Sequence, residues 1–287
     1  VDYYTDGGKA ERSELNKNDL FPSLNIKYQM NEKNSLRFAF SRTVTRPSFI
    51  EMAPFLYQES YGSAQIRGNA DLQNGYNYNI DLRYELFEKN GDMLSITAYY
   101  KHLKAPIERV QTLSGGSAVH SFRNADNGMA TGVEIEFRKE IVKDLRFGVN
   151  GSYMYTNVKL PEGGAYTNSQ RALQGASPYL ANADLTYSPA FSNDRQLSVA
   201  LLYNLQGPRI HSVGISGLGD IKQQPVHTLN FTGSYRFNRR FAVKLQVNDL
   251  LNQDILFKQE VPTTGDKVEV ERFRKGTGFE VGFSYDL

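Results

Sequence analysis

The chain has 287 residues, no cysteine, no tryptophan and a formal net charge of +2. The missing thiols exclude a disulfide framework, a thiolate metal centre and a cysteine nucleophile. The near-balanced charge gives no footprint for nucleic acid.

Residues 1–19, VDYYTDGGKAERSELNKND, carry no initiator Met, basic n-region or apolar h-region. They read as a polar loop remnant ahead of a structured region, 20–287, and the whole reads as a piece of a longer protein. From there period-2 alternation dominates, the mark of strands with two different faces. Leu24, Ile26, Tyr28 and Met30 form the first apolar row, and after NEKN come Leu36, Phe38 and Phe40. Tyr76 to Leu86 supplies six apolar residues facing Asn77, Asn79, Asp81, Arg83 and Glu85, and EKNG joins it to the next strand. Further rows run through Thr131–Phe137, Leu145–Tyr155, Tyr179–Tyr187, Leu197–Leu205, Leu229–Phe237, Phe241–Val247 and Phe279–Leu287. No segment has a convincing helical period, and no run approaches the ~18–20 apolar residues of a membrane helix.

This gives about eleven strands, many of about nine to thirteen residues, where globular strands run to about five or six. Eleven residues at about 3.3 Å rise and about 45° tilt span about 25 Å, the height of an outer-membrane apolar band. Connections alternate between short (NEKN, EKNG, IVKD, AFSNDR, NRR) and long (44–75, 105–128, 159–177, 208–224, 251–276). Tyr76, Tyr78, Tyr99, Tyr100, Tyr153, Tyr155, Tyr179, Tyr187, Tyr235 and Phe237 sit near strand ends, where aromatic rings meet a membrane–water interface. The predicted fold is all-β, a transmembrane antiparallel barrel wall. First and last strands run in the same direction, so they cannot close on each other as antiparallel neighbours.

The stretches FSRTVTRPSF (40–49), IRGNADLQNGYNYNIDLRYELF (66–87), SITAYYKHLKAPIE (95–108), NADNGMATGVEIEFRKE (124–140), LQGASPYLANADLTYS (173–188), LLYNLQGPRI (201–210) and VNDLLNQ (247–253) resemble TonB-dependent outer-membrane receptors. The style is closest to the Bacteroidetes branch. The resemblance implies a barrel of about 22 strands around an N-terminal plug, of which this chain is the C-terminal half. It also implies bacterial outer-membrane lipid, the TonB complex and the barrel-assembly machinery as partners, and import of a scarce nutrient such as a siderophore, cobalamin, glycan or peptide. No cofactor is implied. Gly68-Asn69-Ala70-Asp71-Leu72 departs from the family's Gly-Asn-Pro-x-Leu, and Leu287 ends the chain where an aromatic is common. Glu280, Gly282, Tyr285 and Leu287 resemble the signal read by the assembly machinery.

Nothing in the sequence resembles an enzyme. His102, His120, His211 and His227 lack ligand-like spacing, and SGGS (114–117) and GISGLG (214–219) lack the context of a phosphate loop. Lys27, Arg37, Asp81, Arg83, Glu85, Glu134, Glu136, Arg138, Asp184, Arg236, Lys244 and Glu280 are expected to face a lumen or plug. Their mixed signs argue against an ion-selective pore. Candidate ligand contacts in the long loops are Arg42, Arg46, Tyr57, Tyr61, Arg67, Tyr166 and Arg171. Competing readings are a passive porin-like channel and a soluble β-sandwich binding module.

Overall fold

Strand alternation converts directly into one long sheet. The computed structural model of the chain describes residues 2–4, 10–12, 15–58, 65–114, 117–161, 167–189, 191, 194–215 and 217–285. Eleven wall strands follow in chain order: β1 (Ser23–Gln29), β2 (Asn34–Thr45), β3 (Gly75–Phe87), β4 (Met93–Lys104), β5 (Asn127–Val142), β6 (Leu145–Lys159), β7 (Tyr179–Tyr187), β8 (Gln196–Gln206), β9 (Val226–Arg236), β10 (Phe241–Asn248) and β11 (Gly278–Tyr285). Each is hydrogen-bonded, antiparallel, to its neighbours in this order. The longest, β5 and β6, have 16 and 15 residues. Within the described residues β1 and β11 each have one partner, so the sheet has two open edges.

Register puts the apolar rows on one face without a break. Phe38, Leu82, Ala98, Val133, Tyr153 and Tyr179 are successive cross-strand partners from β2 to β7. Leu185, Leu201, Phe231, Val247 and Phe279 continue a parallel row to β11. Much of this face is open: Leu82 is 47% exposed, Val133 44% and Leu201 41%. An apolar surface this continuous is not left to water, and hydrocarbon satisfies it. The aromatic residues divide between its ends, with Tyr76, Tyr78, Tyr155 and Tyr179 near the long connections and Tyr187, Tyr235 and Phe237 near the short ones. Tyr99 departs from that expectation. It pairs with Asp81 and Gly132 on the polar face, because it is one residue out of phase with Tyr100.

Tyr99 lies across Gly132, where a Cβ would come within 2.6 Å of the tyrosine hydroxyl and closer still to the Tyr153 carbonyl. A strand glycine commonly marks such a close approach. Gly132→Ala is expected to cost about 1–3 kcal/mol through forced backbone displacement. A lowered temperature for the folded-to-unfolded gel-mobility shift would register it. Tyr99→Ala should not rescue the variant, since the carbonyl remains.

The long connections are more ordered than the sequence indicates. Residues 46–74, 105–126, 207–225 and 249–277 carry short strands, and Phe49–Met52 is one helical turn where no helical period was expected. Ser48 and Glu51 cap that turn reciprocally, Ser48 N donating to Glu51 Oε2 at 2.7 Å and Glu51 N to Ser48 Oγ at 3.4 Å. In the leading segment expected as loop, Asp2–Tyr4 pairs with Ala10–Arg12. Toward the long connections the polar wall face becomes apolar: Leu103, Gly128 and Val158 are cross-strand neighbours there. Val158 and Leu160 pack with Val110, Ala125 and Leu173 into a small core that seats the ribbon Ile107–Asn124 on the wall.

Candidate functional site

The wall's polar face and the loop layer above it carry the site. On the wall, the expected inward residues Lys27, Arg37, Asp81, Arg83, Glu85, Glu134, Glu136, Arg138, Asp184, Arg236, Lys244 and Glu280 share the polar face by register. Part of it is an ionic chain. Glu85, 5% exposed, accepts from Ser35 Oγ at 2.9 Å, Arg37 Nε at 2.7 Å and Arg83 Nε at 2.9 Å. Glu136 lies 2.6 Å from Arg138 Nη2 and 3.8 Å from Arg83 Nη2. The alternating signs neutralise one another across β2, β3 and β5, leaving a hydrogen-bonding surface rather than a single-sign field.

Above the wall are two small sheets, each built from two loops. Leu56–Tyr57, Ile66–Arg67, Ser117–Asn124 and Ile107–Ser114 form one, and Arg209–Ser212, Ile221–Gln223, Ile255–Val261 and Asp266–Phe273 the other. Gly68 lets the first loop fold against the Ala53 backbone, and Asn69 Nδ2 donates to the Phe122 carbonyl at 2.9 Å. The two sheets touch through His120 Nε2 and Ser212 Oγ, 3.5 Å apart. The 160–178 connection ties into the second sheet through Gln174 Nε2, which donates to the His211 carbonyl at 2.6 Å, and Gly175 N, which donates to the Ile210 carbonyl at 3.0 Å.

His120 and Ser212 do not form a nucleophile and base. Arg109 Nε donates to His120 Nδ1 at 2.8 Å. The ring proton therefore sits on Nε2, which donates toward Ser212 and cannot take its proton. Among the described residues no group of three His, Asp or Glu side chains is placed to hold a metal ion.

The candidate ligand contacts do not converge. Arg42 lies in β2, not in a loop, and faces outward opposite Tyr78. Its guanidinium donates to the Leu20 carbonyl at 2.7 Å and sits 4.5 Å from the centre of the Tyr76 ring. Arg171 is buried and lies 3.0 Å from Glu108, so it clamps one loop to another instead of meeting solvent. Burial pushes the Glu108 carboxyl up despite Arg171. Arg46 and Arg67 are exposed, and Tyr57 packs edge-on to Phe55 with ring centres 6.1 Å apart. Tyr61 and Tyr166 lie outside the described residues, as does Leu287. Of the terminal signal residues, Glu280 and Gly282 fall on the polar face and Tyr285 on the apolar one.

Sequence reading missed the hollows between these loops. One of about 610 Å³ is lined by Asn157, Gln170, Arg171, Arg209 and Lys222. Another, about 630 Å³, shares Asp220 and Lys222 with the first and adds Lys258, Lys267 and Glu260. Lys222 and Lys258 are direct cross-strand partners, like charges placed side by side in a hollow that also holds Asp220 and Glu260. Only the pairing of two separate loops creates this cluster, so local sequence carries no signal for it.

The second sheet is fastened at its base by Asp254, bonded to Arg274 and to Arg272. Arg274, then Arg272, hold the Asp254 carboxyl below its usual range. A depressed folded value means this support is complete above the ordinary carboxylate range, about pH 4, and is lost as pH falls through the depressed value. Amides of Ile255–Phe273 are therefore expected to lose hydrogen-exchange protection as pH falls below about 4, ahead of those in the wall. Asp254→Asn should reduce that pH step, the remainder belonging to Glu269, whose carboxyl Arg272 also holds below its usual range.

An open antiparallel wall, apolar on one face and polar on the other, with short turns at one end and folded loops at the other, defines an outer-membrane barrel protein. The model of the Outer membrane protein beta-barrel family matches residues 2–285, and the chain belongs to that family and to the bacterial outer membrane. A curated relative, the ferric enterobactin receptor of Pseudomonas aeruginosa, is 22% identical over 253 residues, covering 81% of this chain and 33% of the relative. Among solved structures, a mutant of that receptor in a complex with enterobactin superposes with a TM-score of 0.63 at 21% identity, over 92% of this chain and 40% of the receptor. The ferric yersiniabactin uptake receptor of Yersinia pestis gives 0.65 at 14% identity, over 99% of this chain and 40% of that one. The chain thus spans about a third of the length of its curated relative. The relatives are receptors and not enzymes by name.

Proposed function

We propose that the chain is the C-terminal half of the barrel wall of a TonB-dependent receptor of the Bacteroidetes type. In this reading the rest of the wall pairs with the edges of β1 and β11, and a plug domain fills the lumen. The whole protein imports a scarce nutrient, driven by the inner-membrane proton gradient through TonB. The observation that carries the reading is the sheet itself, whose two open edges run in the same direction and so need intervening strands to close. The mixed-charge polar face supports a lumen lined for hydrogen bonding to protein. Among nutrients, an iron–siderophore complex is best supported, by the names of the relatives and by the two hollows that share Lys222, one with Arg171 and Arg209 and the other with Lys258 and Lys267, in which the cations outnumber Asp220 and Glu260.

The test is uptake of radioactive iron–siderophore complexes by cells carrying the whole parent protein, with and without TonB, alongside its conductance in planar bilayers. TonB-dependent uptake and a closed bilayer are expected. Steady conductance with TonB-independent passage would make the protein a passive channel and overturn the reading.

A further inference from the structure

We propose that the outward face of β2–β6, at its long-loop end, docks the phosphorylated headgroup of an outer-leaflet lipid. The inference needs only the outer-membrane location and holds whether or not the barrel is driven by TonB.

Register grades this face in polarity toward the long loops. Leu82, Ala98, Val133 and Tyr153 form one row, and Ile80, Tyr100, Thr131 and Tyr155 the next. Tyr78, His102, Met129 and Asn157 follow, and then Tyr76, Lys104, Asn127 and Lys159. Aliphatic, aromatic and cationic rows thus succeed one another, the order of hydrocarbon, interface and headgroup in a bilayer. Lys104 and Lys159 flank the exposed Asn127 in a single row, two strands and therefore about 10 Å apart.

Lys104, His102 and Lys159 are all exposed, and no ion pair engages them among the described residues. Arg42 stands at the side of the patch, its charge already shared with Asp19 at 3.5 Å. The ribbon Ile107–Asn124 packs on the opposite face of the wall, on Val158 and Leu160, and leaves these cations uncovered. Two unpaired ammonium groups with an amide between them complement a phosphate. The apolar rows directly below accept the acyl chains of the same molecule, which a free phosphate lacks. Charge complementarity and continuity with the lipid-facing rows therefore select a lipid as the occupant.

The experiment uses the whole parent protein extracted in mild detergent, with bound lipid identified by native mass spectrometry. Lys104→Gln/Lys159→Gln is expected to lower retained phosphorylated lipid at least about tenfold, about one tenth remaining for a loss of one ion-pairing site. Lys104→Arg/Lys159→Arg should retain it, which separates charge from folding. Lys139→Gln, at the short-turn end of the same face, should change nothing. In phosphatidylcholine vesicles, protection from proteolysis should rise when phosphatidic acid is included and not when an equal amount of diacylglycerol is. Equal retention by the double glutamine variant, or displacement of the lipid by millimolar inorganic phosphate, would overturn the proposal.

Discussion

Replacing Leu82 by Arg is expected to cost about 2–4 kcal/mol of folding into a bilayer, the penalty for a cation near the middle of a lipid-facing strand. Leu82 is the eighth residue of the 13 in β3, pairs with Phe38 and Ala98, and is 47% exposed. In a water-soluble sheet the same substitution at so exposed a site would stay within about 0.5 kcal/mol. The companion Asn79→Arg, three residues away on the polar face, should cost under about 1 kcal/mol because its side chain meets water or polar groups. Denaturant titration of the whole protein in phospholipid vesicles measures both. Equal costs for the two would place the faces wrongly.

The second large effect is at Glu108 and Arg171, both under 10% exposed and 3.0 Å apart. Arg171→Ala leaves a carboxylate buried without its partner, a loss of about 3–5 kcal/mol for a fully charged group. Glu108 can escape part of that cost by taking a proton, since burial already pushes its carboxyl up. The defect should therefore be worst at high pH and ease as pH falls through the raised value. Hydrogen exchange in the ribbon Ile107–Asn124 reads it, and the wall strands should be little affected. The double variant Glu108→Leu/Arg171→Met should recover most of the loss, because a buried ion pair exchanges for packed apolar groups at little net cost.

The wall was legible because its signal repeats every second residue and every strand carries it. Phe38, Leu82 and Val133 belong to different strands, yet each can be assigned to the apolar face from its own neighbours alone. Arg42 broke this rule. Its phase is that of Phe38 and Phe40, which places it on the wall and not among the loop contacts, and only Tyr76, Tyr78 and Asp19 around it explain a cation on that face. The loop layer was not legible for a different reason. Glu108 sits beside Arg109 in the sequence IERV, which marks neither side chain as buried, and its burial depends on Arg171, 63 positions away. The cationic hollow likewise requires Lys222 and Lys258 to meet across two loops. Tyr99 was misassigned by proximity to a strand end, where phase was the better guide.

The central claim is that this sheet separates lipid from a polar interior. This chain has no cysteine, so single-cysteine spin labels can be placed at each position from 78 to 86, with any cysteine elsewhere in the whole protein replaced by serine, in outer membranes or vesicles. Collision with oxygen, which concentrates in hydrocarbon, and with a water-soluble nickel complex is then compared along β3. The account predicts strict alternation: labels at positions 78, 80, 82, 84 and 86 favour oxygen, and those at 79, 81, 83 and 85 do not. Water accessibility at both sets of positions, or a period other than two, would contradict it.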